Sequence, residues 1–345
     1  MLRQLARLTR PIPAAGSGAL GVTIYETPAG AVHASESGFE GVTCVDDAAR
    51  LLGVVCDVWE RTEVPWVERW ARGLLRFVLW MQEPDGHWLN FVHDWSGDKN
   101  REGITSRPGQ NFWQARAIVA VERAARALDD ADARAAYERG VARVAERPAP
   151  PDIRCLHLVA ALREAQRGNQ SAIPLVRAWA DELVACRDGV VLKNSAFEVG
   201  QPHLWAHLQE GVLATAGTVL GDASLIEVAV AGADALVVPA IERAFAGERS
   251  MAYEVSSCVE VADRLFEATG DARWAGAAAD ARAWFDGRNA AGVPTYDPAS
   301  GRVADGIDHT EVSRNSGAES NISAAEALPD RAAETARAMA DPFGS

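Results

Sequence analysis

The chain has 345 residues, 48% of them hydrophobic, enough for a sizeable core in one large domain or two. Its net charge of −14, with no basic run to offset it, argues against nucleic acid and anionic membrane surfaces as partners. No charge-free apolar stretch of about 18 residues and no signal peptide is read, so no membrane span is expected and the cytoplasm is the expected location.

Alanine, leucine, arginine and glutamate dominate, and the periodicity predicts helices at 44–60, 64–82, 110–128, 132–146, 152–168, 171–186, 203–220, 222–240, 254–269, 271–287, 318–328 and 330–340. Residues 1–40 read as an irregular, short-strand segment, with Gly21–Tyr25 and Trp88–Val92 as candidate ribbons, and 329–345 as a terminal helix and tail. Short turns at Arg61–Glu63, Asp129–Ala131, Gly168–Gln170, Gly221 and Gly270 alternate with long connections at 83–109, 187–202 and 288–317. Helices paired into hairpins, short turns at one end and long loops at the other, predict a single all-α domain over 1–345, an (α/α)6 toroid. The long loops would then line a central cleft. A helical solenoid is the alternative, but no fixed-period self-similarity supports it.

The five cysteines are odd in number and widely spaced, which fits neither a disulfide framework nor a zinc motif; Cys44, Cys56, Cys155 and Cys258 read as small core residues. Eleven Trp stand against four Tyr and nine Phe. Trp59, Trp70, Trp80, Trp179 and Trp274 recur at helical spacing and are assigned to the core. Trp88, Trp95, Trp113 and Trp205 come from the long loops or the helices just after them, where an aromatic face can stack on a sugar ring. Asn90, His93 and Asp94 accompany the first two; His203 and His207 flank Trp205. Gln114, Arg116, Tyr253 and Asn315 complete the expected sugar-contacting set, since hydroxyls take paired hydrogen bonds from such groups.

Carboxylates open several helices. Thr43 and Asp46 have capping-box spacing, and Asp46 and Arg50 are an i,i+4 pair. Asp46 and Asp47 therefore read either as a charged helix start or as carboxylates at the positive end of a helix dipole. Glu319 follows Asn315-Ser316-Gly317, with Ser316 a plausible cap, and Glu254 follows Met251-Ala252-Tyr253. His203 and His207 have a spacing that can hold a metal on a helix, but the internal Glu of zincins is missing and no metal is expected. No Gly-rich phosphate loop, dinucleotide fingerprint or Gly-x-Ser-x-Gly elbow occurs, and no cofactor is expected.

Three stretches resemble a family of bacterial (α/α)6 proteins encoded beside or fused to glycosyltransferases and mannoside phosphorylases. Val45-Asp46-Asp47-Ala48-Ala49-Arg50 stands for its Asp-Asp-Asn-Ala-Arg motif. Trp284-Phe285-Asp286-Gly287-Arg288-Asn289 matches its Trp-Phe-x-Gly-Arg-Asn stretch, and Asn315-Ser316-Gly317-Ala318-Glu319-Ser320 its Asn-Gln-Gly-Ala-Glu-Ser motif. The resemblance runs from about residue 20 to 328. The chain departs from it at Gln110–Ala117, where amides replace acids, and at His203–His207, where Tyr-Asp-Asn-Ala-Arg is replaced. The resemblance implies a glycosidase-type toroid acting on or binding a glycan, with a glycosyltransferase or phosphorylase as functional partner.

Asp46, Asp47, Glu254 and Glu319 are the candidate catalytic carboxyls of a glycoside hydrolase-like enzyme, converging on one axis, an inverting mechanism being mildly favoured. Two alternatives stay open: a sugar-binding or glycan-assembly protein without turnover, and a lyase or epimerase using His93, His203 or His207 as base.

Overall fold

A computed structural model describes residues 1–32 and 40–344. Thirteen α-helices carry the described residues, and the strands between them are only two or three residues long. Where the sequence predicts one domain, contacts divide the chain into two compact units.

The first unit comprises Met1–Pro148, Tyr296–Asp305 and Ser313–Ser345. It opens with α1 (Leu2–Leu8), which the sequence reading missed. This short helix buries Leu2, Leu5 and Leu8 at i,i+3 spacing. Strand Thr9–Pro11 pairs antiparallel with Leu20–Val22, Tyr25–Thr27 with Gly30–Val32, and Thr43–Cys44 with Phe91–Val92. The helices α2 (Val45–Thr62), α3 (Pro65–Met81), α4 (Phe112–Ala127) and α5 (Ala131–Val144) follow the predicted spans closely. Each has a local cause. α2 ends where Glu63 turns left-handed, and Pro65 supplies the first turn of α3. Asn111 and Asp130 cap α4 and α5 by accepting from Gln114 N (3.0 Å) and Ala133 N (2.9 Å). The helix α2 packs against α3 and α4, and also against two helices from the far end of the chain.

The second unit comprises Ala149–Thr295 and Gly306–Val312. It holds α6 (Pro151–Gln166), α7 (Ile173–Ala185), α8 (Gln209–Leu220), α9 (Ala223–Glu242), α10 (Ala252–Thr269) and α11 (Ala272–Arg282). A three-stranded sheet sets Gly306–Asp308 between Arg249–Met251 and Glu311–Val312. Gly221 and Gly270 end α8 and α10 with φ of 65° and 69°, the left-handed turn that glycine adopts without strain. The predicted helix 203–220 begins only at Gln209, because Ala206 is itself left-handed (φ 55°). Ala223–Glu242 is long and apolar enough to cross a membrane by length and composition, which the sequence reading did not anticipate. It packs along α8 and is braced at Asp234 by Arg273 (2.6 Å).

Returning to the first unit, α12 (Ala318–Ala327) and α13 (Pro329–Ala338) pack on α2. Of the tryptophans assigned to the core, Trp70, Trp179 and Trp274 are fully buried, and Trp59 and Trp80 are half-buried. Cys44, Cys56, Cys155 and Cys258 are all buried, as expected.

Candidate functional site

In the first unit the starts of α2 and α12 bring a set of charges together. The cap of α2 is Cys44, not Thr43: Thr43 lies in a strand and its hydroxyl donates to Val22 O at 2.7 Å. The Cys44 sulfur accepts from Asp47 N at 3.5 Å, and its S–H lies 3.5 Å from Asp47 Oδ2. Asp47 is 6% exposed. Burial first, then the negative charges of Glu319 and Asp46, push its carboxyl up to about 7, with Arg50 and Arg116 opposing. The expected Asp46–Arg50 pair does not form. Asp46 pairs instead with Arg116, and its backbone N donates to Asn90 Oδ1 at 3.0 Å. Arg50 turns to α12, donating to Glu319 Oε1 (2.9 Å), Ser323 Oγ (2.8 Å) and Glu326 Oε2 (3.3 Å). Two carboxylates and a hydroxyl on one face of α12 outcompete the single Asp46 one turn away.

Two further residues belong to this set and were not singled out from sequence. Asp305 Oδ1 accepts from Gly317 N (2.7 Å) and Ser320 Oγ (2.8 Å), so a residue from the preceding loop does the capping that was assigned to Ser316. Ser316 is buried, its Oγ accepting from Asn321 Nδ2 at 2.9 Å. Tyr25 is half-buried, packed on Ile24, Cys44 and Phe91. Burial and the charges of Asp47, Glu319, Cys44 and Asp305 push its phenol up to about 12.

The sugar-contacting set of this unit divides. Trp88 is a core residue, 0% exposed, its indole N–H donating to Val78 O at 2.8 Å; it offers no stacking face. Gln114 is equally buried and ties the 83–109 loop to α4, accepting from Trp88 N (2.9 Å) and donating to Gly86 O (3.2 Å). Asn90 is buried between Asp46 N and Thr105 O. All three side chains are engaged inside the scaffold rather than presented on its surface. Asp94 closes an exposed turn by accepting from Ser96 N and Oγ. His93 and Asn315 are exposed; Trp95 and Trp113 are half-buried, Trp113 donating to Trp88 O at 3.2 Å.

Glu254 belongs to the second unit, where its Oε2 accepts from Met251 N at 3.0 Å, the return half of a capping box. Burial raises its carboxyl above the usual range. Tyr253 beside it is half-buried, its hydroxyl 2.9 Å from Met251 Sδ. His203 and His207 are not on a helix, so the helical i,i+4 premise of a metal pair fails. His203 stacks flat on Trp205, with centroids 3.8 Å apart and planes at 4°. His207 is buried between Asn194 Oδ1 (2.7 Å from Nδ1) and Glu210. Its Nε2 is hydrogen-bonded to Oε1 at 3.1 Å, while Oε2 lies nearer, at 2.8 Å, off the hydrogen-bonding direction. Asn194 Nδ2 donates to His203 O and its Oδ1 accepts from Gln209 Nε2, which fixes the amide's orientation and makes His207 Nδ1 the donor. Burial pushes neighbouring Asp152 up to about 6. Among the described residues no group of three or more His, Cys, Asp or Glu is placed to hold a metal ion.

No protein-family model matches this sequence, and no curated protein matches it. Among solved structures the chain is similar to a sugar epimerase from a ruminal bacterium, with 14% identity and a TM-score of 0.73 over 96% of this chain and 95% of that one. It is similar to the cellobiose 2-epimerase of Spirochaeta thermophila, with 10% identity and a TM-score of 0.69 over 97% and 94%. It is also similar to a GH76 α-mannanase of Bacteroides thetaiotaomicron, with 10% identity and a TM-score of 0.58 over 86% and 87%. The chain has the all-α, (α/α)6-toroid fold. That is the fold class the alternation of short and long connections predicts. At these identities the likeness carries no residue roles, so the site stands on its own geometry.

Proposed function

We propose that the protein is a carbohydrate-active enzyme of glycoside hydrolase type, with Asp47 and Glu319 of the first unit as its proton-transfer pair. The observation that carries this reading is their contrast: Asp47 is buried with its carboxyl near 7, while Glu319 is ion-paired with Arg50. Glycosidic cleavage needs one carboxyl that holds a proton at working pH and another that is ionised. Asp47 would protonate the departing glycosidic oxygen, and Glu319 would activate water or attack the anomeric carbon. Asp46, held by Arg116, adds the negative charge that helps keep the proton on Asp47. The shared fold with a mannanase and with sugar epimerases supports a sugar as the substrate class.

Aryl glycosides and reducing disaccharides test this directly. Asp47→Asn and Glu319→Gln should each lower hydrolysis by roughly 10²-fold or more. Unchanged rates in both variants would sink the assignment.

A second reading is favoured by one observation in the second unit, the buried His207–Glu210 pair. His207 Nδ1 donates to Asn194 Oδ1, which turns Nε2 toward the Glu210 carboxylate and holds the imidazole in one orientation. An epimerase or isomerase needs such a base beside a carbon next to a carbonyl. Incubation of reducing sugars in D2O separates the readings. Deuterium entering at carbon 2 without new reducing ends selects the His207 chemistry, and new reducing ends select Asp47 and Glu319.

A further inference from the structure

We propose that Tyr25 is a positioning residue of the Asp47–Glu319 pair, a neutral phenol set between the first turns of α2 and α12 that governs which carboxyl holds the proton. This rests on the reading of those two residues as the working pair. The placement is geometric. The backbone on either side of Tyr25 docks the entry to α12: Ile24 O accepts from Ala318 N at 2.8 Å, and Glu26 O accepts from Ser316 N at 3.0 Å. Glu319 is the next residue after Ala318. The approach is close enough that a Cβ on Gly317 would come within 2.7 Å of Ile24 O. The Tyr25 side chain packs against the apolar cluster of Ile24, Cys44 and Phe91, and Cys44 is the cap of α2, whose sulfur touches Asp47. The segment Ile24–Glu26 thus touches the entry to α12 through its backbone, and the Tyr25 side chain packs on the cluster that holds the cap of α2.

The charges around it define what it can do. The charges of Asp47, Glu319, Asp305 and Cys44 act on the phenol; those of Glu319, Asp46, Arg50 and Arg116 act on Asp47, which Cys44 also touches; Arg50 is ion-paired with Glu319. Burial, and then the charges of the nearby carboxyls, push Tyr25 up to about 12, so it stays protonated throughout the physiological range. A neutral phenol beside carboxyls is a hydrogen-bond donor, and a donor stabilises the ionised form. The phenol therefore favours the ionised form of Asp47. Without it, the proton stays on Asp47 to higher pH.

The test follows the Asp47 carboxyl by ¹³C NMR in protein labelled at aspartate Cγ, the signal assigned by its loss in Asp47→Asn. In Tyr25→Phe its titration midpoint should rise by roughly one pH unit, a tenfold change in the proton equilibrium. A midpoint that is unchanged or lower in the folded variant overturns the proposal, whatever happens to thermal stability. If Tyr25→Phe does not fold, fluorotyrosine labelling of the wild type gives the reciprocal measurement. The signal of Tyr25 is assigned by replacing the other three of the four tyrosines in turn. Its ionisation midpoint should fall in Asp47→Asn and in Glu319→Gln, and no change in either variant overturns the coupling. Neither readout requires turnover, so a protein that cleaves no sugar fails the hydrolase reading without touching this one.

Discussion

Arg50 Nη1 meets Glu319 Oε1 at 2.9 Å across 269 residues of sequence. The contact ties the first turns of α2 to α12 and places a fixed positive charge beside a buried carboxyl. The guanidinium is nearly covered, and its remaining donors reach Ser323 and Glu326. Removing it leaves one carboxylate unpaired beside Asp47 and withdraws a charge that holds Asp47 down.

Arg50→Met should therefore cost about 2 kcal/mol in urea unfolding, less than a fully buried pair because Glu319 is 44% exposed. It should also raise the Asp47 midpoint. A loss of stability with no movement of Asp47 would mean that the arginine is only a brace.

Gly140 tests whether Trp88 is core. A Cβ at Gly140 would sit 2.8 Å from Trp88 Cζ3 and 2.9 Å from Ile118 Cγ1. Gly140→Ala should destabilise by about 1–3 kcal/mol through overpacking, after the small gain in helix propensity. Equal or higher stability by thermal melting would show room beside Trp88 that a packed core does not leave.

What was legible in the sequence follows from the range of the interactions. The helices from α2 to α13 were readable because apolar periodicity, Asp caps and terminal glycines are local signals. The start of α8 was not, because the left-handed turn at Ala206 interrupts a stretch whose residues also suit a helix. The cap at Cys44 was hidden because a thiol is an uncommon cap and Thr43 one residue earlier is a common one. Trp88 read as a loop aromatic because nothing near it in sequence shows Val78 or Gly140 closing over it. At the candidate site, the helix starts single out Asp46, Asp47 and Glu319 as carboxylates in the sequence. Tyr25, Asp305 and the choice of Arg50 for Glu319 depend on contacts between distant segments, which no spacing rule records.

Asp305 caps α12 from outside the helix, so its loss should act on α12 before anything else. Asp305→Ala leaves Gly317 N and Ser320 Oγ without their acceptor and should cost about 1–2 kcal/mol. Amide hydrogen exchange should quicken in residues 317–321, while α4 and α5 keep their protection. Uniform exchange across the first unit would contradict a local capping role.

Asp47 gives the molecule a pH-dependent stability whose direction is fixed by its raised value. Below about pH 4 the folded and unfolded chains both hold the proton, and the site carries no penalty. As the pH rises, the unfolded chain releases the proton first, while the folded chain keeps it to about 7. Stability contributed by this group is therefore full at low pH and is lost as the pH rises through the folded value. A value of about 7 against an ordinary 3.8 corresponds to about 4 kcal/mol between those limits. Asp152 and Glu254 are shifted in the same direction, so the wild-type curve alone does not isolate Asp47. The difference between wild type and Asp47→Asn does, because the asparagine does not titrate and any fixed cost of the amide is the same at each pH. Urea unfolding at about pH 4, 6 and 8 should show Asp47→Asn gaining on wild type at each step, by a few kcal/mol in all. A difference that is flat with pH would mean that Asp47 ionises normally in the folded protein, and it would then have no proton to give a glycosidic oxygen at neutral pH.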